Sequence, residues 1–417
     1  MASFSFGSGN AAKLLRIPLS LAGRLGTLVV PRGDRWVFGC GAGIGDGALA
    51  LHRHATALGH EAVWLTRSQR EDDEAAALGI RTLRRSSIRG WWATARAGVL
   101  VVTHGLGDIN RYADGGGFIV QLWHGIPLKR IGLDSPATTQ VPNLPGAGIL
   151  RRAVAILYRA AAQRIRVLPA ASDRSRGRLE SAFGLPSDRV VVTGEPRVDV
   201  LSEGSPEERR VRASARLRTA LEGLPEPSRV VLYAPTWRDG AADPAVPSAD
   251  DWVRIIRVLE ECDATLVIRS HPLGEGGYVP PLPSRRVRML GSSVLADVTP
   301  VLPAVDVLIT DYSSLAYDVG LLAMPVLYLA PDAEEYARSR GFYGRFRDVA
   351  GADAASSWPD VLEQLQGLLS DEAAFTERSV RSATLSAEMH AFRDGRNTER
   401  VYGAIRARGV RAPKGAV

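Results

Sequence analysis

Short runs of consecutive apolar residues alternate along the chain with longer stretches whose apolar residues recur at helical spacing. The runs predict β-strands and the stretches between them predict helices. Apolar residues at every position of a strand indicate that both of its faces are buried, as in parallel sheets covered by helices. The predicted strands are Trp36–Gly39, Ala62–Thr66, Val99–His104, Phe118–His124, Val190–Gly194, Val230–Thr236, Thr265–His271, Asp306–Ser314 and Pro325–Pro331. The predicted helices are Ala48–Leu58, Asp72–Leu78, Ile88–Ala97, Trp358–Leu369 and Ala391–Arg408.

About a dozen strands are too many for one compact sheet, so the pattern predicts two domains. The composition turns charged at Ser202–Arg212 and rich in proline and glutamate at Glu222–Arg229. We therefore predict an α/β protein of two doubly wound parallel-sheet domains. The predicted segments are a basic arm at 1–34, a first domain at 35–210, a second at 225–390, and a closing helix and tail at 391–417.

Unusual polar residues collect at the predicted carboxyl ends of the strands, where ligands bind in open parallel sheets. His104, His124 and His271 each close a strand, and Asp311 ends the strand before the last. A lone histidine at a strand end is more often structural than catalytic. Three of the chain's seven histidines at such ends favour a shared function, because this topology gathers them at one edge.

Two of these loops are open to both a structural and a functional interpretation. Gly39–Gly47 matches the loose dinucleotide fingerprint, but the next strand ends without the acidic residue that a nicotinamide site needs. A tight turn is the alternative. His124 is followed by Gly125, then by Lys129 and Arg130, which suits a general base near an anionic ligand. A buried, hydrogen-bonded histidine with exposed cations nearby fits this second loop equally well.

Ser313 and Ser314 lie between a strand and an apolar helix, where serine is a common N-cap. The same position also suits a phosphate, because a helix start offers free N–H groups. Capping explains one serine, and the pair beside Asp311 favours ligand binding. Arg238 and Arg269 lie at two strand ends of the same domain and are predicted to complete a pyrophosphate clamp. Thr236, at the end of its predicted strand, is assigned to the same donor phosphate site.

The charge of the chain favours anionic partners without choosing among them. The 417 residues include 45% hydrophobic and 23% charged residues, and the net charge is +7. Only three of the cations are lysines, so most arginines carry little functional information. No apolar run is long enough to span a membrane. Leu14–Arg32 and Ile149–Arg166 instead mix arginines with aliphatic residues and predict contact with an anionic membrane surface.

Six segments in series resemble the CDP-glycerol glycerophosphotransferase family, which includes the teichoic acid primases and polymerases. They are QLWHGIPLKRIG (Gln121–Gly132), TGEPRVDVL (Thr193–Leu201), LYAPTWRD (Leu232–Asp239), IRSHP (Ile268–Pro272), TDYSSLAYDVGLLAMPVLYL (Thr310–Leu329) and RGFY (Arg340–Tyr343). Their order and spacing agree over about three quarters of the chain. The resemblance implies a glycosyltransferase-B-like fold with two domains facing a cleft.

The resemblance also implies a reaction and roles for particular residues. An alditol phosphate passes from CDP-glycerol or a related CDP-alditol to an acceptor hydroxyl, and CMP is released. His124 is the implied base, and His271 contacts the donor phosphates. Ser313, Ser314 and Asp311 belong to the implied donor phosphate site. Asp332 and Arg340 lie where the family holds the nucleotide end, and Lys129 and Arg130 are assigned to the acceptor side.

The expected partners follow from the same resemblance. We expect a lipid-linked or polymeric acceptor, a peripheral place on the inner face of the cell membrane, no nucleic acid, no cofactor and no catalytic metal. Two other hypotheses stay open: a nucleotide-sugar glycosyltransferase or epimerase of the same architecture, and a non-catalytic module that binds polyanions or lipid. The sequence does not decide which alditol the donor carries, or whether the enzyme primes or polymerises.

Overall fold

The computed structural model describes residues 23, 25–139, 147–222, 229–236, 238, 243–270 and 275–413. His271 and most of the arm predicted at Leu14–Arg32 lie outside these residues. Within the described residues, no helix is both long enough and apolar enough to cross a membrane.

The described strands form two parallel sheets. The first has seven strands in the order β3-β2-β1-β4-β5-β6-β7, and the second has five in the order β10-β9-β8-β11-β12. The strands of the first sheet are β1 (Trp36–Phe38), β2 (Ala62–Thr66), β3 (Thr82–Arg84), β4 (Val99–Val102), β5 (Phe118–Gln121), β6 (Ile165–Ala170) and β7 (Val190–Val192). Those of the second are β8 (Arg229–Ala234), β9 (Ala264–Ile268), β10 (Val287–Met289), β11 (Val307–Thr310) and β12 (Val326–Tyr328).

Helices connect the strands and accompany both sheets. Those of the first half are α1 (Asp46–Ala57), α2 (Gln69–Ala77), α3 (Ile88–Arg96), α4 (Ala147–Ala162), α5 (Asp173–Phe183) and α6 (Pro206–Ala220). Those of the second half are α7 (Ala249–Glu261), α8 (Leu315–Val319), α9 (Ala333–Ser339), α10 (Phe346–Ala350), α11 (Trp358–Ser370), α12 (Glu372–Met389) and α13 (Asn397–Arg406).

The chain divides into two compact units, and the division differs from the predicted one. The first unit comprises Met1–Asp199 and Asp394–Val417, and the second comprises Val200–Arg393. The predicted end of the first domain at residue 210 falls inside α6, which belongs to the second unit. The predicted separate tail at 391–417 instead rejoins the first unit, because Val401 and Ile405 of α13 are fully buried in its core.

The inner strands of the first sheet are buried on both faces, which explains why β1 and β4 are apolar at every position. Alternate residues of β4 enter different cores: Leu100 and Val102 face one, while Val99 and Val101 face the other. The second core also holds Trp36 and Trp64 of β1 and β2. The prediction of parallel, doubly covered sheets is therefore confirmed.

The predicted membrane helix Ile149–Arg166 is too long. Helix α4 ends at Ala162, and β6 begins at Ile165. Arg164 lies between them and forms an ion pair with the fully buried carboxylate of Asp114, so it does not belong to an exposed cationic face. Arg32 of the predicted arm is likewise unavailable, because its guanidinium donates to backbone carbonyls that include those of Thr94 and Ala113.

Candidate active site

In each sheet the strand order reverses at one point, and the polar loops collect there. In the first sheet this switch lies between β1 and β4, and in the second it lies between β8 and β11. Connections leave in opposite directions at such a point, which opens a crevice at the carboxyl ends of the strands. A side chain bridges each switch: the Thr103 hydroxyl accepts from Gly41 N, and the Asp311 carboxylate accepts from Thr236 N. The structure thus presents two candidate sites, one in each unit.

Two stacked histidines mark the site of the first unit. His104 follows β4 and His124 follows β5, and these strands are neighbours. Their ring centroids lie 4.1 Å apart, and their planes differ by 1°. Trp123 lies against His124 as well, with centroids 4.1 Å apart and planes tilted by 37°. His124 therefore has two aromatic neighbours.

Thr103 holds both histidines. Its carbonyl oxygen lies 3.5 Å from His124 Nδ1, and its hydroxyl lies 2.8 Å from His104 Nδ1. A carbonyl only accepts, so His124 donates this long hydrogen bond through Nδ1–H. The proton on Nδ1 leaves the lone pair on Nε2, which is the nitrogen able to accept a proton from a substrate.

Both imidazoles are neutral at physiological pH. Burial lowers the pKa of His124 well below its usual value, and the neighbouring His104 and Arg197 lower it further, against the opposing effect of the Thr103 carbonyl. Burial and Arg67 lower the pKa of His104 to about 4. A neutral imidazole is the form that a general base requires.

The glycine-rich loop after β1 permits this arrangement. A Cβ built on Gly41 would lie 2.4 Å from Cγ of His104, and one on Gly39 would lie 2.2 Å from the carbonyl oxygen of Asp108. Asp108 in turn accepts hydrogen bonds from the backbone N–H groups of Thr103 and His104. These glycines are needed because the loop after β4 packs directly on them, a structural reason different from the predicted tight turn.

The backbone around His124 is unusual. Trp123 has a positive φ of 61°, which is rare for a residue with a large side chain. Its ring packs edge-on against Phe183 at 5.2 Å between centroids, and this contact fixes the turn. Farther along the loop, the buried guanidinium of Arg178 donates to the carbonyl of Pro127. Lys129 is half-buried and Arg130 is exposed just beyond it.

A carboxylate organises the site of the second unit. Asp311 follows β11 and accepts from the backbone N–H groups of Thr236 and Tyr312, at 2.9 and 2.6 Å. It also accepts from Arg238 Nη1 at 2.8 Å. Asp332, which follows β12, binds Nε and Nη2 of the same guanidinium at 2.7 and 2.9 Å. Arg238 thus joins the ends of three neighbouring strands.

Aromatic rings enclose this ion-pair network. The guanidinium carbon of Arg238 lies 4.9 Å from the ring centroids of both Tyr312 and Tyr336. Phe342 and Phe346 pack against Tyr312 at 5.5 and 4.9 Å between centroids. Burial alone would lower the pKa of Arg238, but the hydrogen bonds and charges of the two aspartates raise it above its usual value.

Two of the predicted phosphate ligands have other partners in the structure. The Arg238 side chain is 5% exposed and is held by two carboxylates. The Arg269 guanidinium donates to the backbone carbonyls of Leu290 and Ala296, at the end of β10. The two arginines make separate internal contacts: Arg238 forms an ion-pair frame with Asp311 and Asp332, and Arg269 anchors the loop after β10. Their contact with the donor phosphates stays a prediction.

The remaining predicted residues of this unit lie around the frame. Ser313 and Ser314 are half-exposed at the turn into α8, and the Ser313 hydroxyl accepts from Leu315 N at 3.3 Å. The structure places Asp332 inside the frame, since it binds both Arg238 and Tyr312. Arg340 is half-buried and donates its backbone N–H to the Tyr336 carbonyl.

Sequence reasoning missed three residues of these sites. His104 was noted at a strand end but given no role, although β4 and β5 are adjacent and bring it against His124. Thr103 carries no motif of its own, and Tyr312 lies within the motif Thr310–Leu329 without a separate role. The one signal that could have found them is position, because both follow a strand at a switch point.

Two parallel α/β units with polar strand ends at each switch point define a glycosyltransferase-B-like protein. The sequence profile of the CDP-Glycerol:Poly(glycerophosphate) glycerophosphotransferase family matches residues 36–407. The chain therefore belongs to this family, and the predicted family, fold class and transferase type are confirmed.

Individual relatives agree with the family. A teichoic acid glycerol-phosphate transferase of Staphylococcus aureus is 26% identical over 293 residues, covering 69% of this chain and 70% of the relative. A teichoic acid poly(glycerol phosphate) polymerase of Bacillus subtilis is 27% identical over 299 residues, covering 70% of this chain. The matched region is only 38% of that polymerase, so this chain corresponds to part of the longer relative.

Solved structures show the same fold. A variant of the wall teichoic acid polymerase TagF soaked with CDPG superposes with a TM-score of 0.74 at 20% identity, covering 96% of this chain and 97% of the other. A UDP-GlcNAc 2-epimerase of Neisseria meningitidis superposes with a TM-score of 0.53 at 14% identity, covering 89% and 100%. At these identities the likeness concerns the fold.

Proposed function

We propose that this protein transfers glycerol phosphate, or a related alditol phosphate, from a CDP-activated donor to a hydroxyl of a lipid-linked or polymeric cell-envelope glycan, and releases CMP. The observation that carries the proposal is the neutral His124 at the end of β5, with Nδ1 directed at a carbonyl. This arrangement suits general-base catalysis, and family membership supplies the class of reaction.

In the proposed reaction, Nε2 of His124 takes the proton of the acceptor hydroxyl. The acceptor oxygen forms a new bond to the phosphorus of the glycerol phosphate. The bond from that phosphorus to the bridging oxygen breaks, and its electron pair leaves with CMP. Phosphoryl transfer of this kind depends on positioning and charge stabilisation more than on covalent chemistry.

We assign donor binding to the second unit. The half-exposed Ser313 and Ser314 offer hydroxyl groups at the carboxyl end of β11, and His271 keeps its proposed contact with the donor phosphates. Asp311, Thr236 and Arg238 hold the turn in shape through their mutual hydrogen bonds. Asp332 and Arg340 keep a proposed place near the nucleotide end.

We assign acceptor activation to the first unit, where Lys129 and Arg130 follow His124 in the chain. Peripheral contact with the inner face of the cell membrane is proposed through α4. Ile149 and Ile156 of this helix are 77% and 65% exposed, while Val154 and Tyr158 are buried. Exposed isoleucines beside arginines are typical of helices that lie on anionic lipid.

A donor panel tests the proposed function. The purified protein is incubated with a lipid-linked glycerol phosphate acceptor and, in turn, CDP-glycerol, CDP-ribitol or UDP-GlcNAc. We expect acceptor-dependent release of CMP from one of the CDP-alditols and no turnover of UDP-GlcNAc. Turnover of UDP-GlcNAc alone would instead identify a nucleotide-sugar enzyme.

A further inference from the structure

The surroundings of His124 raise a chemical question that the proposed reaction must answer. A base that accepts a proton becomes an imidazolium, and a cation that is only partly exposed to solvent, as His124 is, gains from a partner. Among the described residues, neither His104 nor His124 hydrogen-bonds to a carboxylate through its ring. Burial also makes the protonated form of His124 costly, and a charged His104 would add to that cost. Because the pKa of His104 is about 4, His104 is neutral at the pH of the reaction and presents an uncharged ring to His124.

Two aromatic rings lie against the His124 ring. His104 lies parallel to it at 4.1 Å, and Trp123 lies on it at the same centroid distance. A cation within about 6 Å of an aromatic centroid is attracted by the electron-rich face. The parallel stack therefore provides part of the stabilisation that a carboxylate partner gives to an imidazolium in other sites.

His104 is itself held rigidly. The Thr103 hydroxyl lies 2.8 Å from its Nδ1, and Gly41 leaves no room for a shift toward the loop after β1. Its backbone N–H donates to Asp108 at 2.7 Å. A ring fixed in this way keeps its face on His124 without further ordering during the reaction.

We propose that His104 is a positioning residue of this site: its ring aligns His124 and stabilises the protonated form of that imidazole while the acceptor hydroxyl is deprotonated. The inference rests on the proposed function for its chemistry, and on the stack for its geometry. The proton leaves the acceptor oxygen, resides on Nε2 of His124 beside the His104 face, and returns to solvent once CMP has formed.

The charged groups around the pair set the pH behaviour. Arg197, itself paired with Glu195 at 2.9 Å, acts on His124. Arg67 acts on His104, and Asp108 accepts from the His104 backbone. The His104 variants leave these groups unchanged. A difference between the variants in the pKa of His124 is therefore caused by the ring stacked on it.

The test compares His104→Leu with His104→Phe. Leucine fills the site without an aromatic face, whereas phenylalanine keeps a planar ring. We expect His104→Leu to lower kcat by roughly tenfold with an unchanged donor KM, and His104→Phe to retain several times more activity than the leucine variant. The acid limb of the pH–rate profile should move to lower pH in the leucine variant. His60→Leu is the matched control, because the His60 ring lies against Trp36, tilted by 44°, and His60 precedes β2 at the opposite end of the sheet.

Equal kcat and equal acid limbs in the leucine and phenylalanine variants would overturn the proposal. If His104→Leu does not fold, Thr103→Val decides: it keeps the carbonyl that holds His124 and removes the hydroxyl that holds His104. Wild-type kcat in that variant would overturn the proposal, and a lowered kcat at constant KM would support it.

The failure of the proposed function is a separate result, because it would show as no CMP release by the wild type. In that case NMR titration of the His124 ring in the wild type and in the two His104 variants still tests the stack. A lower His124 pKa in the leucine variant than in the phenylalanine variant supports it, and equal values overturn it.

Discussion

At the scale of single residues, the two sites rest on side chains that leave little room for substitution. Gly41 is the clearest case, because a methyl group there would meet the His104 ring 2.4 Å away. A contact this short is sterically forbidden, so the ring or the loop has to move. The glycine is needed for space, and the stack on His124 depends on it.

We therefore predict that Gly41→Ala lowers kcat by about tenfold or more, as expected when a catalytic group is displaced by a fraction of an ångström. CMP release measures this. Gly177→Ala is the control, since Gly177 lies on α5 with no heavy atom within 4 Å of its built Cβ. That change should leave kcat unchanged and raise helix stability by up to about 1 kcal/mol. Wild-type kcat in the Gly41 variant would show that the ring is not held by this loop.

Buried histidines make the first unit sensitive to mild acid. Burial lowers the folded pKa of His52 and of His104 to about 4. An unfolded histidine titrates near 6.5, so below that pH the unfolded chain binds more protons than the folded one. The contribution of these groups to the free energy of unfolding therefore falls as the pH drops from about 6.5 toward 4.

Urea unfolding at pH 7 and pH 5 checks this sign. We predict that the wild type loses stability over this interval and that His52→Phe loses less, because the variant lacks one of the titrating groups. Phenylalanine suits the position, since His52 already lies against the rings of Phe38 and Trp64. An equal loss in both proteins would mean that His52 titrates normally in the folded state.

Arg238 is the residue on which the second site depends. Removing its side chain leaves the buried Asp311 and the partly exposed Asp332 without a counter-charge, and breaking a buried pair in this way typically costs about 3–5 kcal/mol. We predict that Arg238→Ala is strongly destabilised in urea, whereas Arg345→Ala, which breaks an exposed pair with Asp348, shows no measurable change. Equal stability of the two variants would contradict the frame described here.

At the scale of elements, the turn from β11 into α8 is a place where helix capping and ligand binding can be tested separately. The Ser313 hydroxyl accepts from Leu315 N, so its loss costs some stability in any case. We predict that Ser313→Ala combined with Ser314→Ala also raises the donor KM several-fold. Ser357→Ala, which removes the N-cap of α11 in the same unit, should lower stability without changing KM. If the double serine variant and Ser357→Ala have the same donor KM, the turn serves only as a helix cap and does not bind the donor.

Helix α4 provides the element-scale test of membrane contact. We predict that Ile149→Glu combined with Ile156→Glu abolishes cosedimentation with acidic vesicles at low salt, because it removes apolar contact and adds repelling charge. Val253→Glu is the control: Val253 is 69% exposed on α7 of the second unit. If the α4 variant still sediments with acidic vesicles as the wild type does, α4 does not contact the membrane.

The sequence predicted elements well where a strand is buried on both faces, and poorly elsewhere. Strand β2 was predicted with its observed bounds, since its apolar run is continuous. The three-residue β3 and β10 were missed, because each carries polar side chains and gives no periodic signal. Strand β6 was partly absorbed into the predicted membrane helix, since Arg164 and Arg166 continue the mixture of arginine and aliphatic residues that α4 also shows.

The candidate sites were predictable in part for the same reason. Histidines and serines at strand ends are visible in the sequence, and the strand order of the first sheet then brings His104 and His124 together. The partners of Arg238 were not predictable, because its ion pairs join β8, β11 and β12 through residues far apart in the chain. An arginine that binds phosphate and one that binds two aspartates have the same local sequence signal.

At the scale of the whole molecule, the last helix returns to the first unit. Asp199 accepts from the backbone N–H groups of Asn397 and Thr398 at 3.0 and 2.7 Å. Val401 and Ile405 are fully buried with Trp36. We predict that removing residues 394–417 prevents stable folding of the first unit, whereas removing residues 411–417 does not. Limited proteolysis checks this. A protease-resistant first unit in the chain that lacks residues 394–417 would contradict the assignment of the last helix to that unit.

The central claim is that this family member transfers alditol phosphate with His124 as the base, and one measurement tests it most directly. CMP release from the CDP-alditol donor is compared between the wild type and His124→Ala, with calorimetric titration of CDP as the check on donor binding. We predict that the variant binds CDP as the wild type does and turns over at least about 10²-fold more slowly. Near-normal turnover in a folded His124→Ala protein would contradict the account.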